Sequence, residues 1–567
     1  MTIVRPGGLT VNRPCLLPCR SMLPTTTILR MLEGLRASFG MDAAARKREL
    51  LGQLGHRQFP TRRALVRYHE LLCWWRAYPE NAGLLADIVA RLDAFDRRAD
   101  LKRCRRNLIG SGIKGTDITF PFFYFTAGWL ARRWPDSISI DWSAEVDLAR
   151  LERLLPLLLP ATESLTVDQL SFTAREWLEE LKGSSETDAT FLVRRFQTLP
   201  FDDFGREIAY DDMGFWLRLK AGPTTPNRSR AFDPAAPIVF RTGPIDTSRS
   251  DLAREARRPP LDIRSVPQEE AVGLIDMART AMVTRDRDLD VFENANPNDV
   301  LRIDCGGGLQ FIAIGPVAER RMLLEAVYGL ITLRNGVPIG YVLISSLFGT
   351  TEIAYNVFET FRGGESGHLF GRVIATARAL FGSDTFSIEP YQLGYGNAEG
   401  LKSGAWWFYY KIGFRPVEPG VLKLAESEAA RVRADPRHRT DRRTLKKLAS
   451  ERMFRYLGRP RADVLGRIPL DIIGLALTRR LAARGGADRE GSIRDMAREA
   501  ARRLGFGGYP RLNAAETMAW NRWGPIIDSM AGVERWTIAE KRAAVAVLRA
   551  KGGRHEYQFV RLFDGHP

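Results

Sequence analysis

Cysteine is scarce. Five residues, an odd number, are scattered over 567 positions, which excludes a disulfide framework. Cys15 and Cys19 form the one close pair, and with neither histidine nor a further cysteine near them they read as plain thiols. The six histidines, His56, His69, His368, His438, His555 and His566, never form a His-x-x-x-His pair, so no metal site is expected. Long hydrophobic runs are missing too. Arg5, Arg13 and Arg20 lie near the N-terminus, but before Met31 there is none of the roughly seven-residue apolar stretch that a secretory signal needs. The patches Leu154–Leu159 and Ile468–Leu477 fall far short of the ~20 residues that span a bilayer. A soluble, cytoplasmic protein with no membrane span is the expectation. Internal repeats and low-complexity tracts are also absent.

What is present is a globular composition, 45% apolar and 27% charged, in a chain long enough for several domains. The net charge of +17 is uneven: residues 431–567 hold 30 Lys+Arg against 15 Asp+Glu, which is +15 of the total. An anionic partner would be steered to that region.

Four regions follow from texture. Residues 1–220 read as mainly helical: Leu65, Tyr68, Leu72 and Trp75 are spaced for one buried face, and Leu84, Ile88 and Leu92 for another. Residues 221–261 carry Pro223, Pro226, Pro234, Pro237, Pro244, Pro259 and Pro260 and read as a linker or an irregular crossing segment. Residues 262–420 open with a helix near 268–283 and then turn to strand-like alternation. Apolar runs on either side of Asn335-Gly336 predict a hairpin, a third strand covers Glu352–Phe358, and after a glycine-rich loop come a helix, Leu369–Phe381, and a strand, Phe386–Pro390. Residues 431–567 read as basic and helical, with Leu445, Leu448, Met453 and Leu457 on a periodic face. The fold class is therefore α/β of the mixed α+β kind, a mostly antiparallel sheet with helices, flanked by all-helical regions.

The chemistry centres on Arg362-Gly-Gly-Glu-Ser-Gly-His368. A strand entering a small-residue turn that opens a helix leaves backbone N–H groups free to hold an anion, with Arg362 as a charged donor at the mouth. Either a phosphate site or a simple tight turn with a helix cap fits this loop alone. Gly364-Glu-Ser366-Gly-His368 also nearly spells the Gly-x-Ser-x-Gly nucleophile elbow, but it lacks the last glycine, and the hairpin makes the sheet antiparallel.

Three successive places in residues 262–420 resemble the acyl-CoA N-acyltransferase (GNAT) superfamily. The hairpin Gly329–Ser345 looks like the family's second and third strands. Phe358 to His368 resembles the end of its fourth strand and its pyrophosphate loop, Arg/Gln-x-x-Gly-x-Gly/Ala. Phe408-Tyr-Tyr-Lys-Ile-Gly-Phe-Arg-Pro is similar to its closing Phe-Tyr-x-Lys-x-Gly-Phe segment, the most specific of the three.

The resemblance implies an acyltransferase that moves an acyl group from acetyl-CoA or another acyl-CoA to an amine, without a metal. It implies that the splayed fourth and fifth strands receive the pantetheine arm and that Tyr409 protonates the leaving thiolate. The pyrophosphate would lie on Gly363, Gly364, Glu365, Ser366, Gly367 and His368 behind Arg362, with Val357 and Phe358 offering strand edges and Asn397 a further ligand. Glu352 and Glu389, then His368, are the candidate general bases.

Two departures matter. Glu365 stands where the family prefers glycine, so the cradle survives if its carboxylate turns outward and suffers if it turns inward. The interval from Asn397 to Tyr409 is longer than the family pattern. Tyr391, Tyr395, Trp406, Trp407, Phe408 and Tyr410 read either as an acceptor pocket or as helix core. Two other functions stay open: a non-catalytic GNAT fold whose basic region binds nucleic acid or an acidic partner, and an acyltransferase fed by an acyl carrier protein.

Overall fold

The computed structural model describes residues 23–144, 146–245, 251–363 and 365–566. Cys15, Cys19 and Gly364 lie outside them. The protein is mixed α/β, built on a nine-stranded sheet of order β11-β12-β10-β9-β8-β7-β6-β5-β4. Its strands are β4 (Asp262–Ser265), β5 (Ala295–Gly306), β6 (Leu309–Pro316), β7 (Ala326–Arg334), β8 (Val337–Leu347), β9 (Thr350–Val357), β10 (Thr385–Ile388), β11 (Arg415–Pro416) and β12 (Met453–Tyr456). Every neighbouring pair is antiparallel except β9 with β10.

β6 is buried along its whole length because both faces of the sheet are covered, which makes it an unbroken apolar run. Alternate residues divide between two cores. Ile312, Ile331 and Ile339 pack with Leu72, Trp74 and Trp75 of the N-terminal helices. Ala313, Leu330 and Val342 pack with Phe370 and with Trp520 and Phe559 of the C-terminal helices.

The predicted hairpin forms. Asn335 and Gly336 have φ of 49° and 76°, the two positive values that a type I′ turn requires. Its tip is not exposed: the Asn335 side chain donates to Ala77 O (2.8 Å) and accepts from Val239 N (2.7 Å). A Cβ on Gly336 would lie 2.4 Å from Asp233 O. Residues 221–245 thus form a packed crossing segment rather than a free linker, secured also by the buried Asp233–Arg302 pair at 2.5 Å.

The helical flanks also contribute short strands that helical periodicity does not reveal. β1 (Ile118–Phe120), β2 (Ile138–Ile140) and β3 (Leu217–Leu219) form a separate three-stranded antiparallel sheet within the N-terminal helices. Met453, expected on a helical face, begins β12, which enters the main sheet between β10 and β11. The sheet therefore extends past residue 420, and segments of three or four residues are too short to show a period. No helix among the described residues is long and apolar enough to cross a membrane.

The N-terminal unit meets the sheet through a buried carboxyl pair. Asp288 accepts from Phe123 N (2.9 Å) and Thr126 Oγ1 (2.6 Å), and it shares a hydrogen bond with Glu293. Burial, and then the charge of Asp288, hold the Glu293 carboxyl far above the usual range, so the folded protein keeps its proton after the unfolded chain has lost it. This contribution to stability is full below about pH 4.5 and is lost progressively as pH rises toward the folded-state value. Melting temperatures measured from pH 5 to 9 are expected to fall with rising pH in the wild type and to fall less in Glu293→Gln, whose amide donates at every pH. Parallel curves for the two proteins would contradict this.

Candidate functional site

β9 and β10 pair over three registers only, Thr350 with Thr385, Thr351 with Phe386 and Glu352 with Ser387. Beyond that point β9 runs on to Val357, while β10 ends at Ile388 and the chain turns into the short helix Pro390–Leu393. The strands part and leave a cavity of about 270 Å³. Its walls are Tyr355, Asn356 and Val357 of β9, Arg362 and Ser366 of the following loop and helix, and Asn397, Glu399, Phe408 and Tyr409 opposite.

Helix Ser366–Phe381 opens onto this cavity. Its preceding residue, Glu365, makes no side-chain cap, and the amides of Ser366, Gly367 and His368 have no acceptor among the described residues. Such an end is a ready anion site. Gly363 has φ +85°, a conformation that favours glycine.

The Glu365 carboxylate turns inward and is 6% exposed. It does not stand as a free charge at the helix end, because Arg334 of β7 and Arg241 of the crossing segment both donate to it. Two guanidinium groups on one carboxylate leave the cluster with a surplus positive charge, so the departure from glycine does not make the surroundings negative.

The other expected residues are distributed as follows. Tyr409 lines the cavity, is 3% exposed, and packs against Phe370 and Phe414; burial raises its hydroxyl above the usual range. Arg362 stands at the mouth, its Nε donating to Val357 O (3.0 Å) and its Nη2 to Glu399 (2.6 Å). The Val357 carbonyl is thereby occupied. Phe358 turns away: its amide donates to Ile339 O (3.0 Å), and its ring lies under Arg285 in the N-terminal core.

Asn397 lines the cavity but caps helix Ala398–Ser403, accepting from Gly400 N (3.0 Å). The long interval to Tyr409 is a broken helix: Gly404, at φ +73°, separates Ala398–Ser403 from Ala405–Lys411. Trp406 is buried and stacked on Tyr410 in the helix core, Phe408 lines the cavity, and Tyr391 and Tyr395 are exposed.

The three candidate bases lie elsewhere. Glu352 is ion-paired to Arg452, Glu389 precedes the Pro390 helix, and His368, which burial pulls below its usual value, is not on the cavity wall.

Sequence reading missed Tyr355 and Glu399. Tyr355 Oη is buried without a hydrogen-bond partner, and burial raises it well above its usual value; it lies two positions before Val357, on the same strand alternation. The Glu399 carboxyl is held below its usual value by the hydrogen bond from Arg362, with Arg287 on its other side (3.2 Å). Neither residue belongs to a motif.

Away from the cavity, His69, Glu70 and Cys73 bring ligand atoms within 4.8 Å of one another on helix Arg62–Ala77. Glu70 is already engaged by Arg228 (3.1 Å) and Thr360, which offsets the negative charge that a cation would require, and we assign no metal there.

The chain matches no protein-family model, no curated protein and no solved structure.

Glu365→Ala would leave the buried Arg334 and the half-buried Arg241 without their carboxylate, a change that typically costs about 3 kcal/mol. Urea denaturation should show a loss of that order. A loss below about 1 kcal/mol would mean that the clamp does not hold the loop.

Proposed function

We propose that the chain is an N-acyltransferase that takes its acyl group from acyl-CoA and passes it to an amine, with a GNAT-like domain over residues 262–420 to which β12 adds a strand. The observation that carries this reading is the cavity between the parted strands β9 and β10, faced by an uncapped helix end and a buried tyrosine. The order of elements from β7 to β12 supports it, since the one parallel pair of the sheet falls where the resemblance calls for splayed strands.

In this account the amides of Ser366, Gly367 and His368 hold the pyrophosphate, assisted by Arg362, and the pantetheine arm follows β9 past Tyr355 and Asn356. The amine nitrogen attacks the thioester carbon and the C–S bond breaks. The thiolate takes its proton from Tyr409, whose burial keeps it protonated until that step, and the tyrosinate then regains a proton from solvent. Glu399 is the only carboxylate on the wall among the described residues, and Arg362 and Arg287 engage it. We therefore route the amine proton to solvent.

The basic C-terminal region gives less support to a nucleic-acid or acidic-partner role, or to docking of an acyl carrier protein. Arg480 and Arg484 share Asp528, Arg503 meets Glu534, and Arg549 meets Glu516.

Calorimetric titration with acetyl-CoA and a longer acyl-CoA should show binding that Gly367→Trp abolishes, while Tyr409→Phe binds normally and turns over about 10²-fold more slowly. Absence of wild-type binding would refute the proposal. The exposed Arg362–Glu399 pair competes with the phosphate for the guanidinium, and such pairs are worth up to about 1 kcal/mol. Glu399→Gln should accordingly bind CoA about two- to five-fold more tightly; weaker binding would show that Glu399 positions Arg362 instead.

A further inference from the structure

At the opposite edge of the sheet, Asp299 of β5 is 0% exposed and surrounded by donors. The Tyr328 hydroxyl bonds both of its oxygens (2.8 and 2.9 Å), Arg321 Nη2 reaches Oδ2 at 3.3 Å, and the amide of Glu556 does so at 3.1 Å. His555 Nδ1 lies 3.0 Å from Oδ1. A carboxylate accepts, so Nδ1 carries the hydrogen and Nε2 presents its lone pair. That lone pair faces Ser265 Oγ, 3.0 Å away. Ser265 is exposed at the end of β4, the edge strand.

These contacts make a nucleophile, a base and a buried orienting carboxylate in the order and at the spacing of an acyl-transferring triad. The three residues come from β4, from β5 and from the turn before helix Tyr557–Asp564. The imidazole is held firmly: the Tyr557 amide donates to the Tyr328 hydroxyl (3.0 Å), and Glu556 pairs with Lys551 (2.6 Å). A latch joining the C-terminal segment to the sheet needs Asp299 and its donors, but it needs no hydroxyl on the solvent side of the imidazole. Just downstream, helix Gln268–Val283 has no side-chain cap, and the amides of Gln268, Glu269 and Glu270 have no acceptor among the described residues. They are backbone donors within five positions of Ser265 in sequence, of the kind an oxyanion requires.

We propose that Ser265, His555 and Asp299 form a second catalytic site that hydrolyses carboxylic esters or thioesters. Ser265 Oγ attacks the carbonyl carbon while His555 Nε2 takes its proton. The ester bond breaks, His555 returns the proton to the departing alcohol or thiol, and the acyl group remains on Ser265. Water, deprotonated by His555, then attacks the acyl-serine; the acid leaves and Ser265 regains its proton. Asp299 is the positioning residue. The site is independent of the CoA reading, since β5 to β8 lie between β4 and the pair β9 and β10.

The 567-residue chain, treated with a fluorophosphonate probe, should form an O–P bond at Ser265 with loss of fluoride, mapped by peptide mass spectrometry. Ser265→Ala should abolish that adduct and lower p-nitrophenyl acetate hydrolysis at least 10²-fold; it removes an exposed hydroxyl and leaves the Asp299 network whole. Asp299→Asn should slow hydrolysis by on the order of 10⁴-fold, as loss of the correct imidazole tautomer does in such triads. No adduct at Ser265, or ester hydrolysis unchanged in Ser265→Ala, would overturn the proposal.

Discussion

The parallel pairing of β9 and β10 lasts three registers, and the architecture of the cavity follows from where it stops. Hydrogen bonding holds the two strands together as far as Glu352 and Ser387. Past that point β9 keeps only β8 as a neighbour, while β10 gives way to Pro390. An opening between strands inside a sheet covered on both faces is costly unless side chains or a ligand fill it. Here one side receives Tyr409 and Phe408, and the other receives the start of helix Ser366–Phe381. The cavity is thus a consequence of sheet topology rather than of a surface loop.

What keeps that opening in shape is the carboxylate of Glu365. It joins the loop to the end of β7 through Arg334 and to the crossing segment through Arg241. The same crossing segment covers the hairpin at Asn335 and pairs with β5 at Arg302. Buried ion pairs rarely add much net stability, but their geometry is specific, because a misplaced partner leaves an uncompensated charge. The N-terminal helices supply the layer under which this clamp is buried, through their apolar contact with β6, β7 and β8.

Features that depend on near neighbours were legible in the sequence. Asn335-Gly336 specifies its turn through backbone conformation alone, and the helix expected near 268–283 forms over Gln268–Val283 because its apolar positions recur at helical spacing. Tyr409 and Ser366, which the resemblance singled out, line one cavity. Features set by distant neighbours were not. β1, β2, β3 and β12 are too short to carry a period, and the fate of Glu365 was set by residues 31 and 124 positions away. Phe358 looked like a strand edge and is core, because β8 takes its amide. His555 looked isolated because Asp299 and Ser265 lie 256 and 290 positions upstream.

The central claim is that the amides at the start of helix Ser366–Phe381 receive the phosphates of acyl-CoA. Amide hydrogen exchange followed residue by residue, with and without acetyl-CoA, addresses it directly. Slowed exchange at Ser366, Gly367 and His368 on adding the ligand, with the far edge at β4 unchanged, is the predicted result. Exchange at those three amides that is indifferent to saturating acetyl-CoA would contradict the account.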